Sequence, residues 1–549
     1  MTPGQSFGKY SLGNPSLSNN EAHEEDGPVS SELLQPTSSN SIILFDRLSA
    51  IETQSTVARW LNRALILFLF LFAISLPHSI AAAQISLGAG MILWLARDVV
   101  MQRFHLAHTP IDLPLLCFAG LTVLSSVFSV EPSISLPKLK GLVLFGTIYL
   151  MATNLRSRSV HLMVGLLIVS SLLGVGFSLV EKLWGRGMII TTIDVDSPLS
   201  GSDLRPGDVI WMIGRHRVFS TEAADAVIRR ERAGKQIEIE ALHAGDPVPV
   251  KLTVTDELKA KSNPLGITTS GRSRQFRVSG FSRQFLTYAE QMQMLALLVY
   301  GGILTSLAAS LRQKRKRGSW LWIQLYAVLF VLFGLALVLT ASRAVIAAAI
   351  GALLIVSVSV GRRALLIALM AALVLGALGV YVIGSARRQT TTSFSDDSTA
   401  RRIGYMRAGL RVIPQHPLLG VGMDSHKRHW QEWGFPGSYV THTHSTPIQI
   451  AMDRGLPALA CYCWLIAAML IVAWRGFKRA NQESNIFNAS LMLGAFGALI
   501  GFSLSSLTNY NFGDSEVLML LLFIVGLLLA ANRPNLNDQF ASGLDGFAQ

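Results

Sequence analysis

The sequence predicts an all-α polytopic membrane protein of about 12 transmembrane helices, with an inserted extracytoplasmic α+β module. Half of its 549 residues are hydrophobic and only 15% are charged, whereas soluble domains carry about 25% charged residues. The mean hydropathy is +0.43. Apolar spans long enough to cross a bilayer recur along the chain, and a long polar stretch at 182–288 interrupts them. These observations together define the fold class.

The apolar spans set the order of the regions along the chain. Because a helix needs about 20 apolar residues to cross a bilayer, we place the spans near 64–81, 83–97, 111–129, 137–153, 160–180, 289–310, 320–340, 344–360, 364–384, 447–473, 486–507 and 515–531. The predicted regions are a disordered cytoplasmic tail (1–55), N-terminal transmembrane helices (60–181), the insert (182–288), a C-terminal transmembrane core (289–531) with a loop at 385–446, and a cytoplasmic tail (532–549). The N-terminal tail is polar and rich in Ser, Asn and Glu, so we expect no packed core and no cleavable signal peptide there.

The formal net charge is +13, but its placement argues against nucleic-acid binding. Lys and Arg concentrate in short segments between apolar spans, which is the positive-inside pattern of membrane proteins. The basic connections are at 156–158, 312–317, 362–363 and 475–479. They alternate along the series of spans, so we expect them to be cytoplasmic. Parity then places the insert, the turn before Arg343, the loop 385–446 and the connection 509–515 outside.

The insert resembles a PDZ domain of the bacterial protease type across about seventy residues. The motifs that carry the resemblance are Gly187-Met188-Ile189-Ile190, Asp196-Ser197-Pro198 and Leu204-Arg205-Pro206-Gly207-Asp208-Val209-Ile210. A helical stretch and two strand-like segments follow. The resemblance implies that Gly187, Met188, Ile189 and Ile190 bind a peptide carboxylate and pair with the peptide as an added strand. The alternative is a spacer or docking surface without peptide binding.

Three arginines are candidate ligands for a diphosphate. Arg343 is the one charged residue between Trp320 and Gly361. Arg401 and Arg402 lie on a short predicted helix that Ser398 or Thr399 could cap. A guanidinium binds phosphate oxygens with two parallel hydrogen bonds and stays charged. The alternatives are an interfacial anchor for Arg343 and a solvated basic surface for the other two.

The segment between residues 414 and 447 combines histidines with aromatic side chains. His442 and His444 are accompanied by Trp430, Trp433 and Tyr439. Aromatic rings stack on sugars, and a neutral imidazole can accept a proton from a hydroxyl, so the pattern favours a glycan site. A metal site is not favoured, because the two-residue spacing of the histidines fits no strong zinc signature and carboxylates are few nearby.

These motifs resemble the superfamily of O-antigen ligases and O-antigen polymerases, which are bacterial envelope glycosyltransferases. The matching segments are Thr340-Ala341-Ser342-Arg343, Arg402 leading into His416-Pro417-Leu418-Leu419-Gly420-Val421-Gly422, and His444-Ser445 followed by Gln449, Gly455 and Leu456. The family usually has His-Asn at the position of His444-Ser445. The match is clearest over 330–470, and the PDZ-like insert is not part of the usual family pattern.

The resemblance implies a metal-independent transferase without a cofactor, in the bacterial inner membrane with its active site facing the periplasm. Its donor would be a glycan on undecaprenyl diphosphate, and its acceptor would be lipid A core, a growing glycan or a protein. His444 would deprotonate the acceptor hydroxyl, while Arg343 and Arg402, or Arg401, stabilise the departing diphosphate. Trp430, Trp433, Tyr439 and His442 would bind acceptor glycan. Whether the chain acts as ligase or polymerase stays open.

Other classes of protein fit the sequence less well. An intramembrane zinc protease needs His-Glu-x-x-His on a helix, and the sequence contains no such motif. A transporter or flippase is expected to carry acidic residues within its spans, and here they are scarce. A scaffold for envelope polysaccharide export would use the PDZ-like insert to recruit an envelope protein, and the enzyme could use it in the same way.

Overall fold

The computed structural model describes residues 46–532, except 47, 54, 244–245, 275, 283, 313–316, 388–396 and 438–441. Most of this part of the chain is helical. In chain order before the insert, the helices are α1 (Thr56–Ser75), α2 (Ile80–Val100), α3 (Asp112–Val127), α4 (Pro132–Ser135), α5 (Gly146–Asn154) and α6 (Ser157–Trp184). The insert contains β1 (Met188–Ile193), β2 (Val209–Ile213), β3 (His216–Arg217), α7 (Thr221–Arg230), β4 (Gln236–His243), β5 (Asp246–Thr253), α8 (Asp256–Ala260) and β6 (Ile267–Ser270).

The second half of the chain returns to long helices. They are α9 (Phe285–Arg312), α10 (Arg317–Leu339), α11 (Arg343–Val360), α12 (Arg362–Arg387), α13 (Asp397–Val412), α14 (Thr446–Gln482), α15 (Ile486–Ser505) and α16 (Ser515–Ala531). Among the described residues, ten helical segments are long and apolar enough to cross a membrane, and α3 and α16 are shorter apolar helices. The predicted polytopic helical fold with a small inserted sheet is confirmed.

The fourth span is irregular. It starts with α4, continues as a 3-10 helix from Leu136 to Phe145 and ends as α5. Long 3-10 segments are rare because their hydrogen bonds are poorly aligned. Pro137 and two lysines, Lys138 and Lys140, lie in this segment, and both lysines face a cavity described below. The sequence predicted an ordinary helix here.

The end of the region predicted as a disordered tail is packed against the helical body. Ser49 is fully buried and pairs with Leu155 as an isolated β-bridge, and the backbone N–H of Ala50 donates to the carbonyl of Asn154 at 2.9 Å. Residues 46–53 therefore belong to the folded body where they are described. Residues 1–45 and 533–549 of the two predicted tails lie outside the described residues.

The helical body is centred on α9 and α15. These two helices approach closely at Gly301 and Gly494, since a Cβ added to either glycine would meet backbone atoms of the other helix. Small residues allow such close packing of helices within a membrane, where van der Waals contact rather than hydrophobic burial holds them together. Most residues of both helices are buried.

The insert is one antiparallel sheet with its own apolar core. The strand order is β5-β4-β2-β1-β6, with β3 paired to β2. Ile210, Ile213 and Ile239 are fully buried in this core. The insert is also tied to α6, because Arg186 and Arg217 both form salt bridges with Glu181, at 2.6 and 2.9 Å.

Helix α14 is kinked at Gly455, nine residues after its start at Thr446. Backbone groups near the kink form hydrogen bonds to the segment 416–422. Gly455 adopts φ +85° within the helix, and its freed neighbour Leu456 donates its backbone N–H to the carbonyl of Pro417 at 2.8 Å. Val421 donates in the same way to Met452 at 2.9 Å. A Cβ on Gly420 would collide with the backbone of Asp453 and Arg454. The glycines of this motif therefore permit backbone-to-backbone contact.

We expect Gly420→Ala to destabilise the protein, because it combines a left-handed backbone with a collision against α14. The matched control is Gly434→Ala: φ is +66° at Gly420 and +65° at Gly434, but the nearest atom to a Cβ on Gly434 is the end of the Arg411 side chain at 3.7 Å. Thermal unfolding of purified protein in detergent should show a clearly larger loss for Gly420→Ala. Equal losses would show that the close contact does not matter.

Candidate functional site

Backbone contacts bring several connections together at one end of the helical body. Val130 donates its N–H to the carbonyl of Val421 at 3.0 Å, and Thr446 donates to Ser506 at 2.8 Å. At the same end, Val278, which lies between β6 and α9, donates its N–H to the carbonyl of Leu339 at 3.3 Å. We call this end the insert face. It carries the turn before Arg343, the segment 416–422, the histidine loop 442–445 and the connection 506–514.

A cavity of about 1040 Å³ opens at the insert face. We group its charged and polar lining residues by their contacts and call the two groups the cationic end and the acidic end. The cationic end is lined by Lys138, Lys140, Lys427 and Arg454, together with Asp424, Asp453 and His442. The acidic end is lined by Glu290, Asp514 and Glu516, together with Thr287, Asn509 and Asn511. Apolar side chains of α2 and of the 3-10 segment, such as Leu87 and Leu142, complete the wall.

Gln449 of α14 fixes the histidine loop. Its Oε1 accepts the backbone N–H of Thr443 at 2.7 Å, and its Nε2 donates to Asp453 Oδ1 at 2.9 Å. His444 has φ +57°, a left-handed conformation that histidine adopts more readily than most residues. The loop is therefore held in place by Gln449, which is itself fixed by Asp453.

His442 and His444 form a pair of contacting imidazoles. Their ring centroids are 4.3 Å apart, and the backbone N–H of His444 donates to Nδ1 of His442 at 3.2 Å. Since Nδ1 of His442 accepts this bond, the neutral ring carries its proton on Nε2. His442 lines the cavity, and its Nε2–H is available to donate a hydrogen bond. His444 stacks on Tyr405, with centroids 5.7 Å apart, and does not line the cavity.

Both imidazoles are neutral at physiological pH. Burial lowers the pKa of His442 to about 4, and the positive charge of Arg402 acts in the same direction. Burial likewise lowers the pKa of His444 to about 3, with contributions from His442 and Arg402. A neutral imidazole can accept a proton, whereas a protonated one cannot. The charge of Arg402 therefore acts on both rings.

We expect Arg402→Ala to move the acidic limb of the pH–activity profile to higher pH. Removing this positive charge raises the pKa of both histidines toward the unperturbed value of about 6.5, so the neutral form is lost at a higher pH. The profile of kcat/KM reports groups of the free enzyme and is the measurement to make. Arg407→Ala, an exposed substitution on the same helix, is the control. An unmoved limb in Arg402→Ala would contradict the assignment.

The three predicted diphosphate ligands lie outside the cavity wall. Arg343 is the first residue of α11 and is exposed at the insert face. Arg401 is exposed and Arg402 is half-buried on α13. None of the three is among the residues that line the cavity. Their role as ligands remains a prediction, and Arg402 alone acts on the pKa values of the histidine pair.

Trp430 is a core residue, which argues against its predicted role as a glycan platform. It is 4% exposed, stacks on Phe435 with centroids 4.3 Å apart, and has Tyr405 5.4 Å away. Its rings therefore offer no free surface to a sugar. Trp433 is half-buried and stacks on His429, with centroids 5.0 Å apart. Tyr439 lies outside the described residues.

Arg454 is a cavity residue that the sequence did not single out. It is 6% exposed, and neither its Nε nor its Nη1 has a hydrogen-bond partner among the described residues. Nη1 is 3.9 Å from Asp453, and Nη2 donates to Met423 Sδ at 2.9 Å. A buried guanidinium with free donors is suited to an anion that enters the cavity. The available signal was a charged pair, Asp453-Arg454, in an otherwise apolar span.

The lysines at the cationic end surround one carboxylate. Asp424 accepts from Lys138 at 2.5 Å and from Lys427 at 2.7 Å, and it adopts φ +63°. Lys140 lies two residues from Lys138 on the 3-10 segment and also lines the cavity. Sequence reasoning placed both in a span of uncertain position and assigned them no role.

The sheet contradicts the predicted peptide site at Gly187, Met188, Ile189 and Ile190. β1 is paired on both sides, to β2 and to β6, so it has no edge for a peptide. Gly187 has φ +63°, and a Cβ there would collide with the carbonyl of Ile210, which explains this glycine by strand packing. The outermost strand on that side is β6, which contacts α7 and follows the turn 263–266.

The described residues contain no group of three or more His, Cys, Asp or Glu side chains that could hold a metal ion.

Comparison with known proteins supports the assignments of the C-terminal helical core and of the insert. Residues 327–463 match the family described as O-antigen ligase, and residues 171–254 match a PDZ domain. The first match includes Arg343, Arg402, His444 and Arg454. These matches confirm the resemblances stated from the sequence. No curated protein matches the chain.

Proposed function

We propose that this protein transfers a glycan from a lipid diphosphate carrier, undecaprenyl diphosphate, to a hydroxyl group of an acceptor. The O-antigen ligase match supports a membrane glycosyltransferase of this type. The observation that carries the proposal is the juxtaposition of a cationic cavity end with a neutral histidine pair at one face of an apolar helical body. That face would lie at the outer leaflet, on the periplasmic side of the inner membrane.

The cationic end suits the diphosphate. When the bond between the anomeric carbon and the diphosphate oxygen breaks, negative charge builds up on that oxygen, and fixed cations stabilise it. Arg454 offers free donors, while Lys138, Lys140 and Lys427 add charge. The apolar wall beside them is suited to the lipid chain. Arg343 and Arg402, at the same face, would attract the anion on its way in.

The histidine pair suits proton removal from the acceptor. His444 would take the hydroxyl proton as the acceptor oxygen attacks the anomeric carbon, and attack opposite to the leaving group would invert that carbon. His442, with its proton on Nε2, would donate a hydrogen bond to substrate. An imidazole with a pKa near 3 is a weak base, but a bound diphosphate would raise the pKa of His444 through its negative charge. The substrate would therefore strengthen the base.

Glycan transfer in a deletion strain tests the proposal. Loss of modified lipid A core, with long chains accumulating on the lipid carrier, would identify a ligase. Collapse of the ladder to single repeat units would identify a polymerase. Complementation with wild-type protein should restore the pattern, and complementation with the His444→Asn variant should not. An unchanged ladder in the deletion strain would contradict the proposed function.

One observation favours the alternative of a transporter or flippase. Glu290 is a buried acid in the spanning helix α9, and acids within membrane spans often mark transport pathways. Proteoliposomes loaded with fluorescent lipid-linked glycan distinguish the two functions. A transporter would move the glycan across the bilayer without an acceptor, whereas a transferase would leave it in its leaflet until an acceptor is added.

For the PDZ-like insert, we propose that the C-terminus of an envelope protein adds as a strand to β6. The turn before β6 is anchored by Arg229, whose Nη2 donates to the carbonyls of Lys261 and Ser262 at 3.3 and 3.1 Å. Gly266 in this turn has φ +59°, and its N–H donates to the carbonyl of Asn263 at 3.1 Å. These bonds fix the turn beside the outer edge of β6, where the added strand and its terminal carboxylate would lie.

We expect Arg229→Ala to weaken binding of apolar-ended octapeptides to the full-length protein by about 2–10-fold, the effect of losing exposed hydrogen bonds that order the turn. Fluorescence polarisation with free-acid peptides, and with the same peptides amidated at the C-terminus, measures it. Arg230→Ala, on the same helix, is the control. Equal binding of acid and amide peptides to the wild-type protein would contradict carboxylate recognition.

A further inference from the structure

The acidic end of the cavity contains two buried polar side chains that make no hydrogen bond of ordinary geometry. Glu290 is 2% exposed, and its carboxyl group interacts with the amides of Asn509 and Asn511 without a well-formed hydrogen bond. Asn509 is 1% exposed, and neither atom of its side-chain amide has any other partner among the described residues. Both residues line the cavity. They come from distant parts of the sequence, α9 and the connection after α15.

Three other carboxylates in the cavity wall already have hydrogen-bond partners. Asp453 accepts from Gln449 at 2.9 Å. Asp514 accepts from Thr287 and from the first backbone N–H groups of α16. Glu516 accepts from Ser282 at 2.9 Å. Buried polar groups in folded proteins are nearly always hydrogen-bonded, and leaving them unpaired is costly. The unused groups of Glu290 and Asn509 therefore point to an occupant of the cavity that bonds to them.

The charges nearby select the kind of occupant. The carboxyl groups of Asp514 and Glu516 belong to the acidic end, whereas the basic side chains that attract a diphosphate belong to the cationic end. A carboxylate that accepts from hydroxyls, next to an amide that can both donate and accept, is a common way to bind a sugar. The described residues offer no group of three side chains for a metal ion. A neutral, hydroxyl-rich group fits best.

We propose that Glu290 and Asn509 bind hydroxyl groups of the acceptor glycan and so set which acceptor is used. The proposal rests on the transferase function proposed above and deepens it. Asn509 is well placed for this role, because its backbone carbonyl accepts from Thr446, two residues after His444, at 3.1 Å. The next residue, Tyr510, has its ring 5.6 Å from that of His442. An acceptor held by Asn509 is thus beside the histidine pair.

The two groups of side chains then hold the two substrates in one cavity. The donor diphosphate lies among the cations, the acceptor lies against Glu290 and Asn509, and His442 lines the same cavity. Fixing both reactants in one orientation is a large part of catalysis in a two-substrate transfer. Glu290 and Asn509 would act as specificity-determining residues, and they would take no proton from the reacting hydroxyl.

Binding of acceptor to purified full-length protein tests the proposal without relying on transfer. The probe is the phosphate-free oligosaccharide fraction released by mild acid from envelope glycolipids of the deletion strain. It should raise the thermal unfolding midpoint of the wild-type protein in a concentration-dependent way. The Glu290→Gln variant should need about tenfold more oligosaccharide, as expected for losing one buried hydrogen bond. Glu290→Asp, which keeps the carboxyl group but shortens the side chain, should also bind more weakly.

Gln291→Leu is the matched control. Gln291 is on the same helix, is 1% exposed and also lacks partners, but it does not line the cavity. This variant should bind the oligosaccharide like wild type. If Glu290→Gln bound it as tightly as wild type, the acceptor site would be refuted, and loss of transfer in that variant would then support the transporter alternative.

A kinetic split separates failure of this site from failure of the proposed function. In membranes of the deletion strain that carry the variant, Glu290→Gln should raise KM for the acceptor and leave KM for the lipid-linked donor unchanged. A raised donor KM with an unchanged acceptor KM would overturn the acceptor site while leaving the transferase intact. Absence of any transfer by the wild-type protein would overturn the proposed function itself, and the binding experiment would still report on Glu290.

Discussion

The His444→Asn variant should lose glycan transfer almost completely, by about 10²–10⁴-fold, the range expected when a general base is removed. Asparagine tolerates the left-handed backbone at this position, where φ is +57°, so the substitution removes the basic nitrogen with little strain. The rest of the loop should stay in place, because Gln449 holds the backbone of Thr443 rather than the imidazole.

Transfer should be measured at equal protein level in membranes, with the product separated on a gel. The control is His416→Asn, since His416 is exposed in the same part of the chain and is outside the cavity wall; we expect near-normal transfer. If His444→Asn retained activity while His442→Asn lost it, the base would be His442 and the tautomer assigned to it would be wrong.

The Arg454→Ala variant should lower kcat by about 10²–10³-fold, the loss seen when one fixed donor to a developing negative charge is removed. Arg454 lines the cavity, is 6% exposed, and has no hydrogen-bond partner for Nε and Nη1 among the described residues. Electrostatic stabilisation by a buried charge is stronger than in water. Arg454→Lys should also be impaired, because an ammonium cannot make the paired hydrogen bonds of a guanidinium.

Steady-state transfer with a lipid diphosphate donor measures this effect. Arg428→Ala is the control: Arg428 is 63% exposed and pairs with Glu131 at 2.8 Å, so its loss should change kcat little. The cation–π contacts of Arg454 with Phe118 and Phe512, at 5.8 and 5.9 Å, give it a packing role too. Thermal unfolding of Arg454→Ala therefore has to accompany the kinetics, and a folded variant with near-normal kcat would refute the catalytic role. If Arg454→Ala does not fold, Arg454→Lys provides the same test.

The helical body and the location of the histidine loop could be predicted from sequence, because apolar spans and basic connections follow directly from the cost of polar groups in a bilayer. The fold of the insert was also predictable from its motifs. Its peptide-binding edge was not, because Gly187 precedes a strand and has the expected composition of a binding loop. Only the sheet shows that β1 is interior and β6 is at the edge.

The cavity residues show a second limit of sequence reasoning. Arg454 and Glu290 lie in apolar spans, and nothing in one sequence says whether such a residue faces lipid, a neighbouring helix or a cavity. Lys140 made the fourth span uncertain, and the sequence does not show that Lys138 and Lys140 line a cavity. Trp430 illustrates the opposite case, since an aromatic residue in a polar loop can stack on Phe435 as well as on a sugar.

The most direct test of the central claim is transfer by the purified protein in liposomes that contain undecaprenyl-diphosphate-linked glycan, with an acceptor oligosaccharide added and with neither ATP nor divalent cations present. We expect glycan to move to the acceptor and undecaprenyl diphosphate to be released in equal amount. The His444→Asn and Arg454→Ala variants should be strongly impaired. Release of the glycan without transfer, or its movement across the bilayer without bond cleavage, would contradict the account.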